Sequence, residues 1–142
     1  MPPRRFIVAI LIAACTPPVA SPRPRRLGDA MVEIAMRFER AGRAAEADRW
    51  ELARYDLDEI DELLRDDLDG RPLAAAPRHL LDTFVAISLP ELRAASTRRD
   101  GHAYELANAR AARVCNGCHR ASDKGFIEIS ENLGDVAPRV AQ

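Results

Sequence analysis

Four separate runs of this chain place apolar residues at steps of three and four, and none alternates apolar with polar residues over the length of a strand. That patterning restricts the fold to helices packed on their apolar stripes. Leu27, Ala30, Met31, Ile34, Ala35, Phe38 and Ala41 form the first stripe, with Gly42 expected to weaken or end the helix. Asp48 is the expected cap of a second helix, which buries Trp50, Ala53, Leu57, Ile60 and Leu64. Its other side carries Asp56, Asp58, Glu59, Asp61, Glu62, Asp66 and Asp67, a solvated face or a docking surface for a basic partner, and Asp69-Gly70-Arg71-Pro72 ends it. A third helix begins near Pro77 and is expected to bury Leu80, Leu81, Phe84, Val85 and Ile87. Pro90 should kink or divide it before Leu92, Ala95 and Thr97. After an Asp100-Gly101 turn, His102 to about Arg120 forms a fourth helix, with Ala103, Leu106, Ala107, Arg110 and Val114 toward the inside. Short connections between four such helices predict an all-α fold, an antiparallel four-helix bundle, followed by an irregular tail from Lys124 to Gln142.

The end of the fourth helix holds Cys115-Asn116-Gly117-Cys118-His119, the C-x-x-C-H spacing for covalent attachment of a c-type haem. Two thiols at i and i+3 can each add to a haem vinyl group, and the histidine after the second is placed to give the iron a ring nitrogen. A bare C-x-x-C also suits half a zinc site, a redox dithiol or a disulfide. Zinc, however, needs two ligands beyond the cysteine pair. The sequence offers only His79, His102 and His119 as histidines, with no second cysteine pair and no βαβ pattern of the thioredoxin kind. Haem c, one group held covalently, is the reading these residues favour, with a zinc-stapled structural protein or a redox pair as alternatives.

Residues 1–14 read as an export signal: Arg4 and Arg5 precede the apolar run from Phe6 to Ala14, which is too short to span a bilayer. Leu11-Ile12-Ala13-Ala14-Cys15 resembles a bacterial lipobox, so Cys15 is the expected lipidation site and residues 15–26, with Pro17, Pro18, Pro22 and Pro24, a spacer off the membrane. The expected location is therefore the periplasm, lipid-anchored to a bacterial membrane. The formal net charge is −1, which loss of Arg4 and Arg5 takes to −3, so there is no basic excess to suggest nucleic acid. Aromatic residues are only 5% of the chain, leaving room for a large apolar cofactor to complete the core of the domain at 27–125, ahead of the extension at 126–142. No nucleophile with a convincing base, phosphate loop or paired-carboxylate motif stands out, so no enzyme activity is expected.

A four-helix chain whose C-x-x-C-H lies in its last helix resembles the cytochrome c prime family and its low-spin relatives. More narrowly, Leu27-Gly28-Asp29-Ala30-Met31, Trp50-Glu51-Leu52-Ala53-Arg54-Tyr55, Cys115 to His119 and Phe126-Ile127 look like small exported haem lipoproteins of the same layout. The likeness covers roughly Leu27 to Ile129, and departs where such proteins often carry histidine and this chain has Phe38. The resemblance implies that Cys115 and Cys118 hold the haem, that His119 is the proximal iron ligand, and that Met31 is the distal one. Met36, about 140° further round the helix, and His79 or His102 are weaker choices. With Met31 on the iron the implied function is one-electron transfer with a redox partner protein; with a five-coordinate iron it is binding of small gases such as nitric oxide or carbon monoxide. Haem-attachment machinery is implied as a further partner, and since many proteins of that family pair, the resemblance admits a homodimer.

Overall fold

The computed structural model describes residues 25–68 and 70–133, and the backbone of 139–140. The expected signal at 1–14, Cys15 and most of the 15–26 spacer lie outside the described residues. The fold is all-α: α1 (Leu27–Glu46), α2 (Trp50–Leu68), α3 (Ala75–Thr83), α4 (Leu89–Arg98) and α5 (Gly101–Ala121). A π-helical turn, Phe84–Ser88, joins α3 to α4 without a break, so that residues 75–98 make one long rod. None of the described helices is long and apolar enough to cross a membrane.

α1 runs straight through Gly42, contrary to expectation, because that glycine is a contact surface. A Cβ there would sit 3.3 Å from Leu133 Cδ2 and 3.7 Å from Asn108 Oδ1 of α5. The cost of a mid-helix glycine, about 1 kcal/mol, is offset by the approach it permits. Small side chains are buried on both helices: Ala41, Ala44 and Ala45 on α1, and Ala107, Ala111 and Ala112 on α5. The helix ends beyond Glu46 in a left-handed turn at Asp48 (φ 55°), where the Arg49 N–H reaches back to the Ala44 carbonyl and that of Asp48 to Ala45. Asp48 is thus the turn residue closing α1, and the Arg49 carbonyl accepts the first N–H groups of α2.

α2 buries Trp50, Ala53, Leu57, Ile60 and Leu64 as its periodicity requires, with Leu68 besides. The acidic run behind that stripe is largely an internal ion-pair network rather than a free face. Asp56 is wholly buried, taking both terminal oxygens to Arg40, with Nε to Oδ2 at 2.7 Å and Arg37 at 3.5 Å. Asp61, also buried, lies between Arg65 and Arg93, and Arg93 reaches Asp58 as well at 2.8 Å. Glu59 pairs with Arg37 at 3.0 Å. The arginines of α1 and α4 thereby neutralise the charges that sequence spacing alone assigned to solvent or to a partner.

In the 75–98 rod, α3 starts at Ala75, and Pro77 is buried two residues in. Phe84 is in the core, but Val85 and Ile87 are exposed, and Ser88 and Leu89 take the inner positions. Pro90 lacks the N–H that the Ala86 carbonyl would receive, and the wide turn before it takes up the misfit by one extra residue, shifting the buried phase. The helix is therefore re-phased rather than divided. Leu92, Ala95 and Ser96 continue the buried stripe. α5 opens with Asp100 accepting from the Ala103 N–H at 3.0 Å and buries Tyr104, Ala107, Asn108, Ala111 and Ala112, leaving Leu106 and Arg110 outside. Trp50 and Tyr104 meet edge to face across the core, 6.2 Å between centroids.

Cross-helix contacts fix the order of packing. Arg25 lies 3.6 Å from Asp67 and Arg40 pairs with Asp56; Arg54 donates to the Ser96 carbonyl and Arg93 to Asp61. Glu91 pairs with Arg110 at 2.9 Å. The tail is more ordered than expected: β1 (Ile127–Glu128) pairs antiparallel with β2 (Arg139–Val140), Ile127 opposite Val140 and Glu128 opposite Arg139. Ile129 is buried in the core.

Candidate haem-attachment site

The C-x-x-C-H residues occupy the last turns of α5. At about 100° per residue, His119 lies about 40° to one side of Cys115 and Cys118 about 60° to the other, so the three share one face. Asn116, Arg113 and Arg120 form the adjoining face. α3 lies against this end of α5: Cys118 Sγ is 3.7 Å from the Pro77 carbonyl oxygen, and the Gly117 backbone is so close to α3 that a Cβ would touch Leu80 Cδ1 and Cδ2 at 3.6 Å. Cys115 packs against the main core, as do Met31, Ala35 and Val114.

Both thiols are free, with no bridge between them. Burial, reinforced by the neighbouring Cys118 thiol, pushes the Cys115 thiol up to about 12. Burial also raises Cys118, against an opposing hydrogen bond from Ser122. Neither is the depressed-pKa thiolate that a redox dithiol uses. Among the described residues no group of three or more His, Cys, Asp or Glu side chains is gathered as a metal ion requires, so Cys115, Cys118 and His119 do not converge on one point.

His119 is half-buried, and its Nδ1 lies 3.0 Å from the Ile127 carbonyl oxygen. A carbonyl can only accept, so Nδ1 carries the hydrogen, and in the neutral imidazole Nε2 then keeps its lone pair. The chain reaches this position because α5 ends in a left-handed turn at Asp123 (φ 57°), with the Lys124 N–H bonded to the His119 carbonyl at 2.8 Å. From there the backbone doubles back along α5. Asn116 holds it on both sides of one residue: its Nδ2 donates to the Ile129 carbonyl at 2.9 Å and its Oδ1 accepts from the Ile129 N–H at 2.7 Å. Further along, Asn108 donates to the Glu131 carbonyl at 3.3 Å and Arg113 pairs with the Glu131 carboxylate at 2.5 Å. Phe126 stays half exposed, with the Lys124 ammonium 5.9 Å from its ring centre.

Met31 is half-buried on α1 and packs against the core, whereas Met36 is 64% exposed. His79 and His102 are both exposed, and His102 lies seventeen residues up α5 from His119, about 25 Å away. Phe38, at the position where the resembling proteins often carry histidine, is a core side chain. Motif spacing singled out Cys115, Cys118 and His119 as candidates, and the resemblance Met31; neither gave a sign of Asn116 or of the Ile127 carbonyl, since a backbone acceptor has no residue type. Compared with family models, curated proteins and solved structures, the chain matches none.

Proposed function

We propose that this chain is an exported, lipid-tethered haem c protein that carries single electrons, an antiparallel four-helix bundle with its haem on α5. The observation that carries the reading is the half-buried His119, whose Nδ1–H is committed to the Ile127 carbonyl and whose Nε2 is left as a ligand of fixed tautomer. Beside it on the same face stand two uncharged, unbridged thiols at the spacing that thioether attachment needs. Two thiols and an imidazole on one helical face are the donor set that would hold haem c, whereas zinc needs two ligands beyond the cysteine pair. Bound there, haem supplies a reversible one-electron iron couple.

Helix register favours Met31 as the second residue that would hold the iron. Gly42 of α1 faces Asn108 of α5. Eleven residues is three turns and about 20°, a rise of about 16 Å. In an antiparallel pair, eleven back from Gly42 is Met31 and eleven on from Asn108 is His119, a register that supports Met31 as the second residue that would hold the iron. The order of the other cross-helix pairs supports the antiparallel reading: Arg25 with Asp67 and Arg40 with Asp56, Arg54 with Ser96 and Arg93 with Asp61, Pro77 with Cys118 and Glu91 with Arg110. Met31 as a second ligand would close the iron to outside ligands and raise its potential, which suits an electron carrier. Lipid on Cys15 would tether it at a periplasmic membrane face.

The test is the mass and visible spectrum of protein matured alongside haem-attachment machinery. The expected result is a chain heavier by one haem, with a low-spin spectrum and a methionine-to-iron band at the red edge that Met31→Ala abolishes. A high-spin spectrum that shifts with carbon monoxide replaces electron transfer by gas binding. Colourless protein at the mass of the polypeptide overturns both.

A further inference from the structure

We infer that Asn116, between the two cysteines, is the positioning residue for the axial histidine. His119 owes the Ile127 carbonyl to a backbone segment that would otherwise leave α5 after the Asp123 turn. What returns it is the paired bonds between the Asn116 amide and both backbone groups of Ile129, two residues beyond Ile127. An extended residue exposes its N–H and carbonyl on one edge, so a primary amide satisfies both at once. A side chain without both donor and acceptor cannot. The Ile129 side chain is buried beneath that edge, at 6% exposure, so the segment is fixed in height as well as in register. Other bonds hold the segment on either side: the Ile127 N–H reaches the Lys124 carbonyl at 2.9 Å, Ile127 and Glu128 pair with Val140 and Arg139, and Asn108 and Arg113 hold Glu131. Apart from His119 itself, Asn116 is the side chain of α5 that bonds nearest to Ile127, and it takes both backbone groups of one residue.

The role follows from the chemistry of an imidazole ligand. A hydrogen bond accepted from Nδ1–H increases electron donation from Nε2, which favours ferric over ferrous iron and lowers the potential. Asn116 therefore acts on the iron through Ile129 and Ile127 without touching it. This inference rests on the haem reading for its redox consequence, and on the hydrogen bonds alone for the orientation of His119.

Two readouts on the full-length chain separate these. The first is solvent exchange of the His119 ring Nδ1–H and the Ile129 amide by NMR, which needs no haem. Both are expected to be protected in the native chain and to exchange at least tenfold faster in Asn116→Ala. Asn116→Asp, which keeps the acceptor for the Ile129 N–H and loses the donor, should fall between, and decides the matter if Asn116→Ala does not fold. The second is the midpoint potential of the haem-bearing protein. It should rise in Asn116→Ala, each tenfold change in the ferric-to-ferrous ratio being about 59 mV, and stay put in Arg113→Ala. Unchanged exchange in both Asn116 variants overturns the inference whatever the cofactor. Faster exchange with an unmoved potential overturns its redox part. Altered exchange in a chain that never takes up haem removes the proposed function and leaves the positioning of His119 intact.

Discussion

Replacing Asp56 by asparagine should test the charged interior most directly, because it removes one charge and almost no volume. Asp56 is wholly buried, with Arg40 on both of its oxygens and Arg37 at 3.5 Å. Removing one partner of a fully buried pair costs about 3 to 5 kcal/mol, because the other charge is stranded. Here both arginines have somewhere to go: the Arg40 side chain is 46% exposed, and Arg37 also reaches Glu33 and Glu59. What remains is one charge-assisted hydrogen bond lost, about 1.5 to 3 kcal/mol, and an amide NH2 turned toward a guanidinium. The expected loss is about 2 to 3 kcal/mol, read in urea as a midpoint lower by about 1 to 2 M at unchanged slope. Arg65→Ala is the control: it removes a cation that is 68% exposed, from an Asp61 still held by Arg93, and should cost less than about 1 kcal/mol. A loss below about 1 kcal/mol for Asp56→Asn, or an equal loss for Arg65→Ala, would refute the claim that burial rather than ion-pair count sets these energies.

Three further outcomes can be checked on the same material. Asp123→Gly removes the strain of a left-handed non-glycine residue at φ 57° and should stabilise the chain by about 1 kcal/mol, seen as a melting temperature higher by several degrees. The haem-free chain should lose stability in alkali. Cys115, raised from 9.0 to about 12, and Tyr104, raised by burial and by Asp56, both bind protons more tightly folded than unfolded. Their contribution is whole below the unfolded values and disappears as pH climbs toward the folded ones, so Cys115→Ala should flatten the part of a urea-stability profile that begins near pH 9. Tyr104 should release its phenolic proton only as the chain unfolds, followed by tyrosinate absorbance.

Helix positions were legible in the sequence wherever one apolar stripe decided them, as for Trp50, Ala53, Leu57, Ile60 and Leu64. The misreadings share a cause: a neighbour distant in sequence changed what a residue type means. Gly42 reads as a breaker until Leu133 and Asn108 are seen to occupy the space it leaves. Asp56 and Asp61 read as solvent-facing until Arg37, Arg40 and Arg93 arrive from other helices. Val85 and Ile87 fit the stripe of a regular helix, and only the turn ahead of Pro90 puts Ser88 and Leu89 in their place. At the candidate site the side chains were legible because C-x-x-C-H is a local pattern. The Ile127 carbonyl was not, because its position depends on a turn at Asp123 and a clasp at Asn116.

The wide turn at Phe84–Ser88 makes chain length, not residue identity, the sensitive property of this stretch. Removing one residue from the exposed trio Val85, Ala86 and Ile87 would close the turn to a regular helix and keep Leu92 and Ala95 near their present places, but it would drive the Pro90 ring against the carbonyl four residues before it. Adding one would instead rotate everything downstream by about 100°, swing Leu92 and Ala95 toward water and take Arg93 from Asp58 and Asp61. Exchanging any of the three for another helix-compatible side chain should pass almost unnoticed, whereas lengthening the segment by one should dismantle the seam between α2 and α4.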